Sequence, residues 1–231
     1  MVLSFNLVDE FALIALKAHI TYDSQGMLAT NWSTKSSHCS WYGISCNAPQ
    51  QRVSAINLSN MGLEGTIAPQ VGNLSFLVSL DLSNNYFHGS LPKDIGEIPQ
   101  SLFNISSLRF LNLEINNLED DEISSFSHCR ELRVLKLSIN QFIGGIPQAL
   151  GSLSNLEELY LGYNKLTGGI PREIGNLSNL NILHLASSGI NGPIPAEISI
   201  SLHCTGLISL IIAFREVFQW IFVNIFLISK D

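Results

Sequence analysis

LRVLKLSINQFIGGIPQALGSLSN at residues 132–155 is followed directly by LEELYLGYNKLTGGIPREIGNLSN at 156–179, and the two superimpose without a gap. A chain that repeats itself every 24 residues uses one supersecondary unit many times over. The same frame continues at Leu180 (LNILHLASSGINGPIPAEI) and reaches back to Leu108 (LRFLNLEINNLEDDEISSF), Leu77 (LVSLDLSNNYFHGSLPKDIG) and Val53 (VSAINLSNMGLEGTIAPQVG). Six units therefore fill residues 53–203.

Each unit opens with LxxLxLxxN, a short alternating stretch that predicts a strand with its leucines turned into a core. Asn85, Asn116, Asn140 and Asn164 close the strands. A polar residue is expected inside at that point because its amide can bond free backbone groups where one coil turns beside the next. Gly144 with Ile146-Pro147, and Gly168 with Ile170-Pro171, send the chain back along the opposite side. One strand per repeat cannot form hairpins, so the copies must stack in parallel as a solenoid. Strands are expected to begin near residues 55, 79, 110, 134, 158 and 182.

The whole chain has 231 residues, 46% of them hydrophobic and only 13% charged. Twelve Lys plus Arg against 19 Asp plus Glu leave a formal charge of -7 with no basic block, which argues against nucleic acid as a partner. No Gly-rich phosphate loop, HRD-like loop, GxSxG elbow or HExxH occurs, so no catalytic residues are assigned and neither a cofactor nor a metal is expected. The acidic run Asp120, Asp121, Glu122 lacks the ligand spacing of a calcium loop and reads as solvated. Of the four cysteines, Cys39 and Cys46 in CSWYGISC stand close enough for a local disulfide, with two free thiols as the alternative. A bond there implies an oxidising compartment. Sequons begin at Asn31, Asn73, Asn104 and Asn176, in the cap or on the outer side of the repeat frame, and these are the expected glycan positions. Asn57 also begins a sequon but lies on a strand.

The consensus LxxLxLxxNxLxGxIPxxIGxLxx resembles the plant-specific leucine-rich repeat of receptor-like kinase and receptor-like protein ectodomains. DEFALIALKAHITYDSQGMLATNW followed by CSWYGISC is similar to the N-terminal cap of the same receptors. The resemblance implies an α/β solenoid, a right-handed superhelix with a parallel sheet on its concave face and a helical, disulfide-bonded cap. It divides the chain into a cap at 1–52, six repeats at 53–203 and a hydrophobic tail at 204–231. Within the cap, Asp9 reads as a helix N-cap before Leu13, Leu16 and Ile20, while Trp32 and Trp41 cover the open end of the stack. The function implied is recognition of a peptide or protein ligand in immune or developmental signalling at the cell exterior. A co-receptor or full-length receptor is the implied further partner, and the family's kinase half is absent from these residues.

A recognition surface belongs on the strand face, where outward positions of successive coils form one concave sheet. Projecting the frame gives Asp81, then Phe110, Asn112 and Glu114, then Val134 and Lys136, then Glu158, Tyr160 and Tyr163, then Ile182 and His184. Aromatic residues flanked by charges are the usual anchors of interfaces.

The pattern departs from the repeat in three places. The second unit runs 31 residues because LPKDIG is followed at once by a second such ending, EIPQSLFNISS. The third has LEDDEIS in place of the Gly and Ile-Pro pair. After Ile198 a strict 24-residue frame puts Ser209 and Ile212 at the Leu and Asn positions, so the repeat is expected to end there. The tail over 205–228 suits a membrane helix in length, but Arg215 and Glu216 fall near its middle, and an aberrant, non-native end is the equal alternative. MVLSFNLV contains no complete signal peptide. Three functional readings stand at this level: a receptor-type binding module, a secreted binder resembling the polygalacturonase inhibitors, and an inactive truncated gene product.

Overall fold

The computed structural model describes residues 3–91, 105–119, 129–201, 209–212 and 221–223. The second ending EIPQSLFN with Asn104, and the acidic run 120–122, lie outside them.

A helix α1 (Leu3–His19) and a short α2 (Met27–Asn31) build the cap. Ala12, Leu13 and Leu16 of α1 are fully buried, one helical stripe turned toward the first coil. The stack follows as β3 (Val53–Asn57), β5 (Ser79–Asp81), β7 (Phe110–Asn112), β9 (Val134–Lys136), β11 (Glu158–Tyr160) and β13 (Ile182–His184). Every neighbouring pair among these is parallel, and the register is unbroken: Leu80, Leu111, Leu135, Leu159 and Leu183 align across the coils. The consensus leucines are buried throughout, each stabilising by roughly 1.5–3 kcal/mol. On the cap side β2 (Ile44–Cys46) pairs antiparallel with β3 and closes that edge.

The far end corrects the expectation that the repeat stops at Ile198. Strand β14 (Ser209–Ile212) joins β13 in parallel, with Leu210 opposite Leu183, three residues later than a strict frame would place it. A longer connection costs little closure entropy, so the spacing slips without loss of register. Strand β15 (Ile221–Val223) then pairs antiparallel with β14. The described parts of 205–228 are thus strands, and no helix among the described residues is long and apolar enough to cross a membrane; the remainder of that segment lies outside the described residues.

The four asparagines do what their positions predict. Asn140 accepts from Leu118 N at 3.0 Å and donates to Leu113 O at 2.8 Å and Leu137 O at 3.2 Å, tying its coil to the previous one. Asn85, Asn116 and Asn164 repeat the arrangement. In the sixth unit the buried Ser188 stands in that place and donates to Leu185 O at 2.7 Å. Beyond this turn runs a second series of short strands, with β4 (Leu63–Gly65), β6 (Tyr86–Gly89) and β8 (Asn117–Leu118) in one sheet and β10 (Ile143–Gly144) with β12 (Lys165–Leu166) in another. Strand β1 (Ile20–Asp23) of the cap joins β4 antiparallel. Gly65 sits at that crossing with φ +147°, and a Cβ on it would fall 2.2 Å from His19 O. On the convex side, tight turns at Pro69–Asn73, Gln148–Ser152 and Arg172–Asn176 follow the apolar-Pro signals.

Asp9 is not a helix cap. It lies within α1, fully buried, and accepts from Arg52 Nε at 2.9 Å, Arg52 Nη2 at 2.7 Å and Val53 N at 2.7 Å. One carboxylate thereby fixes the cap helix to the first strand, with the Arg52 guanidinium 4.7 Å over the Phe76 ring. Cys39 and Cys46 are bonded, S–S 2.05 Å, and Trp32 and Trp41 stack beside them with ring centroids 5.4 Å apart. His38 is the one side chain that completes a metal-type cluster with Cys39 and Cys46 among the described residues, and both sulfurs are committed to the disulfide.

Candidate ligand-recognition face

Because side chains alternate along a strand, burying the leucines of β5 to β13 turns the residues between them onto the concave side. The register then lays out two rows. Ser79, Phe110, Val134, Glu158 and Ile182 form one, and Asp81, Asn112, Lys136, Tyr160 and His184 the other. Neighbouring strands lie about 4.8 Å apart, so adjacent members of a row are in reach of one another. All of these are partly exposed, as Glu114 is, and Tyr163 is more exposed than they are.

The contacts run from coil to coil. Asn112 Nδ2 donates to Asp81 Oδ2 at 3.4 Å, and Asp81 Oδ1 accepts from Ser83 Oγ at 2.6 Å. Lys136 Nζ lies 3.5 Å from Glu158 Oε2 and 4.7 Å from the centre of the Tyr160 ring. His184 follows, its ring 5.7 Å from that of Tyr160 and 6.2 Å from that of Tyr163. Its place depends on Gly162, where an added Cβ would come within 2.5 Å of His184 Cε1. Burial holds the His184 imidazole below its ordinary value and leaves it uncharged at neutral pH. Burial also raises the Glu114 carboxyl, and raises the Tyr160 phenol with help from the Glu158 and Glu114 charges. The arrangement offers ring faces, a shared ammonium and several carboxylates on a rigid sheet, which suits binding of an extended chain.

Among the glycan positions, Asn31 and Asn176 are exposed and Asn73 is half-buried. Asn31 Oδ1 also accepts from the Tyr42 backbone N–H. Asn104 lies outside the described residues.

One feature of this face was not anticipated. The residue before each closing asparagine, at 84, 115, 139 and 163, has φ between 52° and 57°, the left-handed region. Asn84 adopts it readily, but Ile115 and Ile139 are β-branched and pay roughly 1–2 kcal/mol each. The signal was in the sequence: Ile stands before Asn116 and Asn140 where the second unit has Asn84.

Stacked leucine-lined coils with a disulfide-bonded helical cap and an open concave sheet define a leucine-rich repeat solenoid. Family models agree: "Leucine rich repeat N-terminal domain" matches residues 6–47, and leucine-rich repeat models match 76–98 and 130–190. The chain belongs to the leucine-rich repeat family, in the form found in plant receptor-kinase ectodomains. It is similar to the LRR receptor-like serine/threonine-protein kinase EFR of Arabidopsis thaliana, 37% identical over 93 residues, 40% of this chain and 9% of that protein. It spans less than a tenth of the first curated relatives it matches. Among solved structures it resembles the ectodomain of GASSHO1/SCHENGEN3 from Arabidopsis thaliana in complex with CASPARIAN STRIP INTEGRITY FACTOR 2, with TM-score 0.77, 32% identity, and coverage of 88% of this chain and 23% of that one. It also resembles Pollen Receptor Kinase 3, with TM-score 0.70, 30% identity, and coverage of 83% of this chain and 88% of that one.

Proposed function

We propose that the chain is a binding module that recognises an extended peptide or a protein segment on the concave face of β5 to β13, at the cell exterior. The single observation that carries this reading is the contiguous run Lys136, Tyr160, His184 and Tyr163, four side chains from three neighbouring coils, each beside the next on one open surface. Asp81, Phe110, Asn112, Glu114 and Glu158 extend it. The similarity to receptor ectodomains, one of them solved with a peptide hormone ligand bound, supports the ligand class. The cap disulfide supports an oxidising, extracellular setting. Recognition rather than catalysis is the chain's own role, a reading supported by matched models that cover only the cap and the repeats.

The test replaces Glu158 and Tyr160 together by Ala and measures binding of a captured ligand beside thermal stability. Binding is expected to weaken while the melting temperature stays nearly constant, since both side chains face solvent. The control is the convex turn, where Arg172 Nε and Glu173 Oε1 pair at 3.2 Å. Equal loss of binding from Arg172→Ala with Glu173→Ala would sink the concave-face reading.

A further inference from the structure

Along the edge of the concave face, just past the strand ends, Ile115, Ile139 and Tyr163 stand one above another in consecutive coils. Their exposures are 44%, 47% and 46%, so nearly half of each apolar side chain meets water. Each is held in the left-handed region, at φ 57°, 57° and 53°. That conformation is locked from both sides. Ile115 N donates to Ser138 O and Ile115 O accepts from Asn85 N; Ile139 N donates to Gly162 O and its carbonyl accepts from Asn116 N; Tyr163 is bonded likewise to Ala186 and Asn140. The inter-coil ladder therefore imposes the backbone, and the choice of a β-branched residue there is free to be unfavourable. A half-exposed isoleucine in this position adds backbone strain and leaves apolar surface wet, where the Asn60 and Asn84 of the earlier coils do neither.

We infer that the Ile115–Ile139–Tyr163 ridge is the apolar half of the ligand site, and that with the carboxylates of Glu114 and Asp81 beside it the site takes a peptide in which a basic side chain is flanked by apolar ones. The inference rests on the concave-face reading and names the ligand's chemistry. Charge places the basic residue. Asp81 and Glu114 lie on the ridge side of the face, while Lys136 is engaged with Glu158. The opposite edge, at the strand starts, holds Arg109 and Arg133, the latter paired with Glu157 at 3.0 Å. Lys136 also acts on Glu114 and Glu157 offsets the Arg133 charge, so the draw on a cationic side chain comes from the neighbouring Asp81 and Glu114 carboxylates themselves. Continuity supports the same occupant: Tyr163 contacts His184 and so joins the ridge to the aromatic run. Beside Ile115 a hollow of about 330 Å³ continues the line, lined also by Asn60, Gly62, Asn84 and Tyr86.

The experiment is selection of a random dodecapeptide phage library on the full chain, produced in an oxidising secretory host, and on four variant pairs, the convex Arg172→Ala with Glu173→Ala among them. The unmodified chain is expected to enrich peptides with Arg or Lys between apolar residues. The pair Ile115→Asn with Ile139→Asn is expected to bind an enriched peptide about tenfold more weakly and yet to melt at a higher temperature, because Asn accommodates the left-handed backbone. A purely structural role for the two isoleucines predicts no change in binding. The pair Asp81→Ala with Glu114→Gln should keep the apolar preference and lose the basic one. Enrichment of acidic peptides, enrichment of none, or binding unchanged in the isoleucine pair overturns the inference. If the isoleucine pair binds normally while Glu158→Ala with Tyr160→Ala does not, the ridge fails and the concave face stands. If neither pair matters and convex substitutions do, both fail.

Discussion

Replacing Asp9 by Ala tests how the cap is held to the stack. The Asp9 carboxylate is 1% exposed and the Arg52 side chain 6%, and three donors converge on it. Removing one partner of a buried pair costs about 3–5 kcal/mol, because the other charge loses its counterion in a low-dielectric setting. The Val53 N–H loses its acceptor as well, which adds to the loss. Against a total stability of roughly 5–15 kcal/mol this is enough to free the cap. Guanidinium unfolding should be followed by tryptophan fluorescence, to which Trp32 and Trp41 in the cap contribute, and by circular dichroism, which reports the sheet. With a slope of roughly 4 kcal/mol/M, the fluorescence midpoint should fall by about 1 M. In the double replacement Asp9→Leu with Arg52→Met the buried charges vanish together, and most of the loss should be recovered. A midpoint for Asp9→Ala within about 0.2 M of the unmodified chain would refute the argument.

Two further outcomes follow from the same contacts. Asn140→Ala strips acceptors and donors from buried backbone groups of two coils, and the expected destabilisation is roughly 2–4 kcal/mol by urea titration; a loss below about 1 kcal/mol would mean that water replaces the amide at no cost. His184, held by burial below its ordinary 6.5, binds a proton more weakly in the folded than in the unfolded chain. Its contribution to stability is therefore present above about pH 6.5 and lost as pH falls through the folded value. His184→Phe should flatten that part of the urea-midpoint profile between pH 7 and pH 5, and an unchanged profile would contradict the assignment.

The strands and the core were legible because a leucine every two or three residues leaves one way to bury them, and the structure begins β5, β7, β9, β11 and β13 at residues 79, 110, 134, 158 and 182 as the frame requires. The asparagine turns were legible for the same reason: a polar residue at a fixed place in an apolar frame has a backbone partner. Asp9 was misread because its partner Arg52 is 43 residues away, and a local capping rule cannot see a contact at that distance. The crossing of β1 on β4 is hidden likewise, since neither four-residue Ile20–Asp23 nor Leu63–Gly65 has a distinctive pattern. The strand at Ser209–Ile212 was missed because spacing was treated as fixed when only the register is. Of the candidate face, the outward row was legible by alternation. The isoleucine ridge was not, since its significance lies in a backbone conformation that period-two patterning does not describe.

Photo-crosslinking from single positions measures the central claim most directly. A benzophenone amino acid placed at Tyr160, and separately at Arg172, would be irradiated with a bound peptide selected on the unmodified chain. The account predicts a covalent adduct from position 160 and none from position 172. Adduct formation from 172 with none from 160 would contradict it.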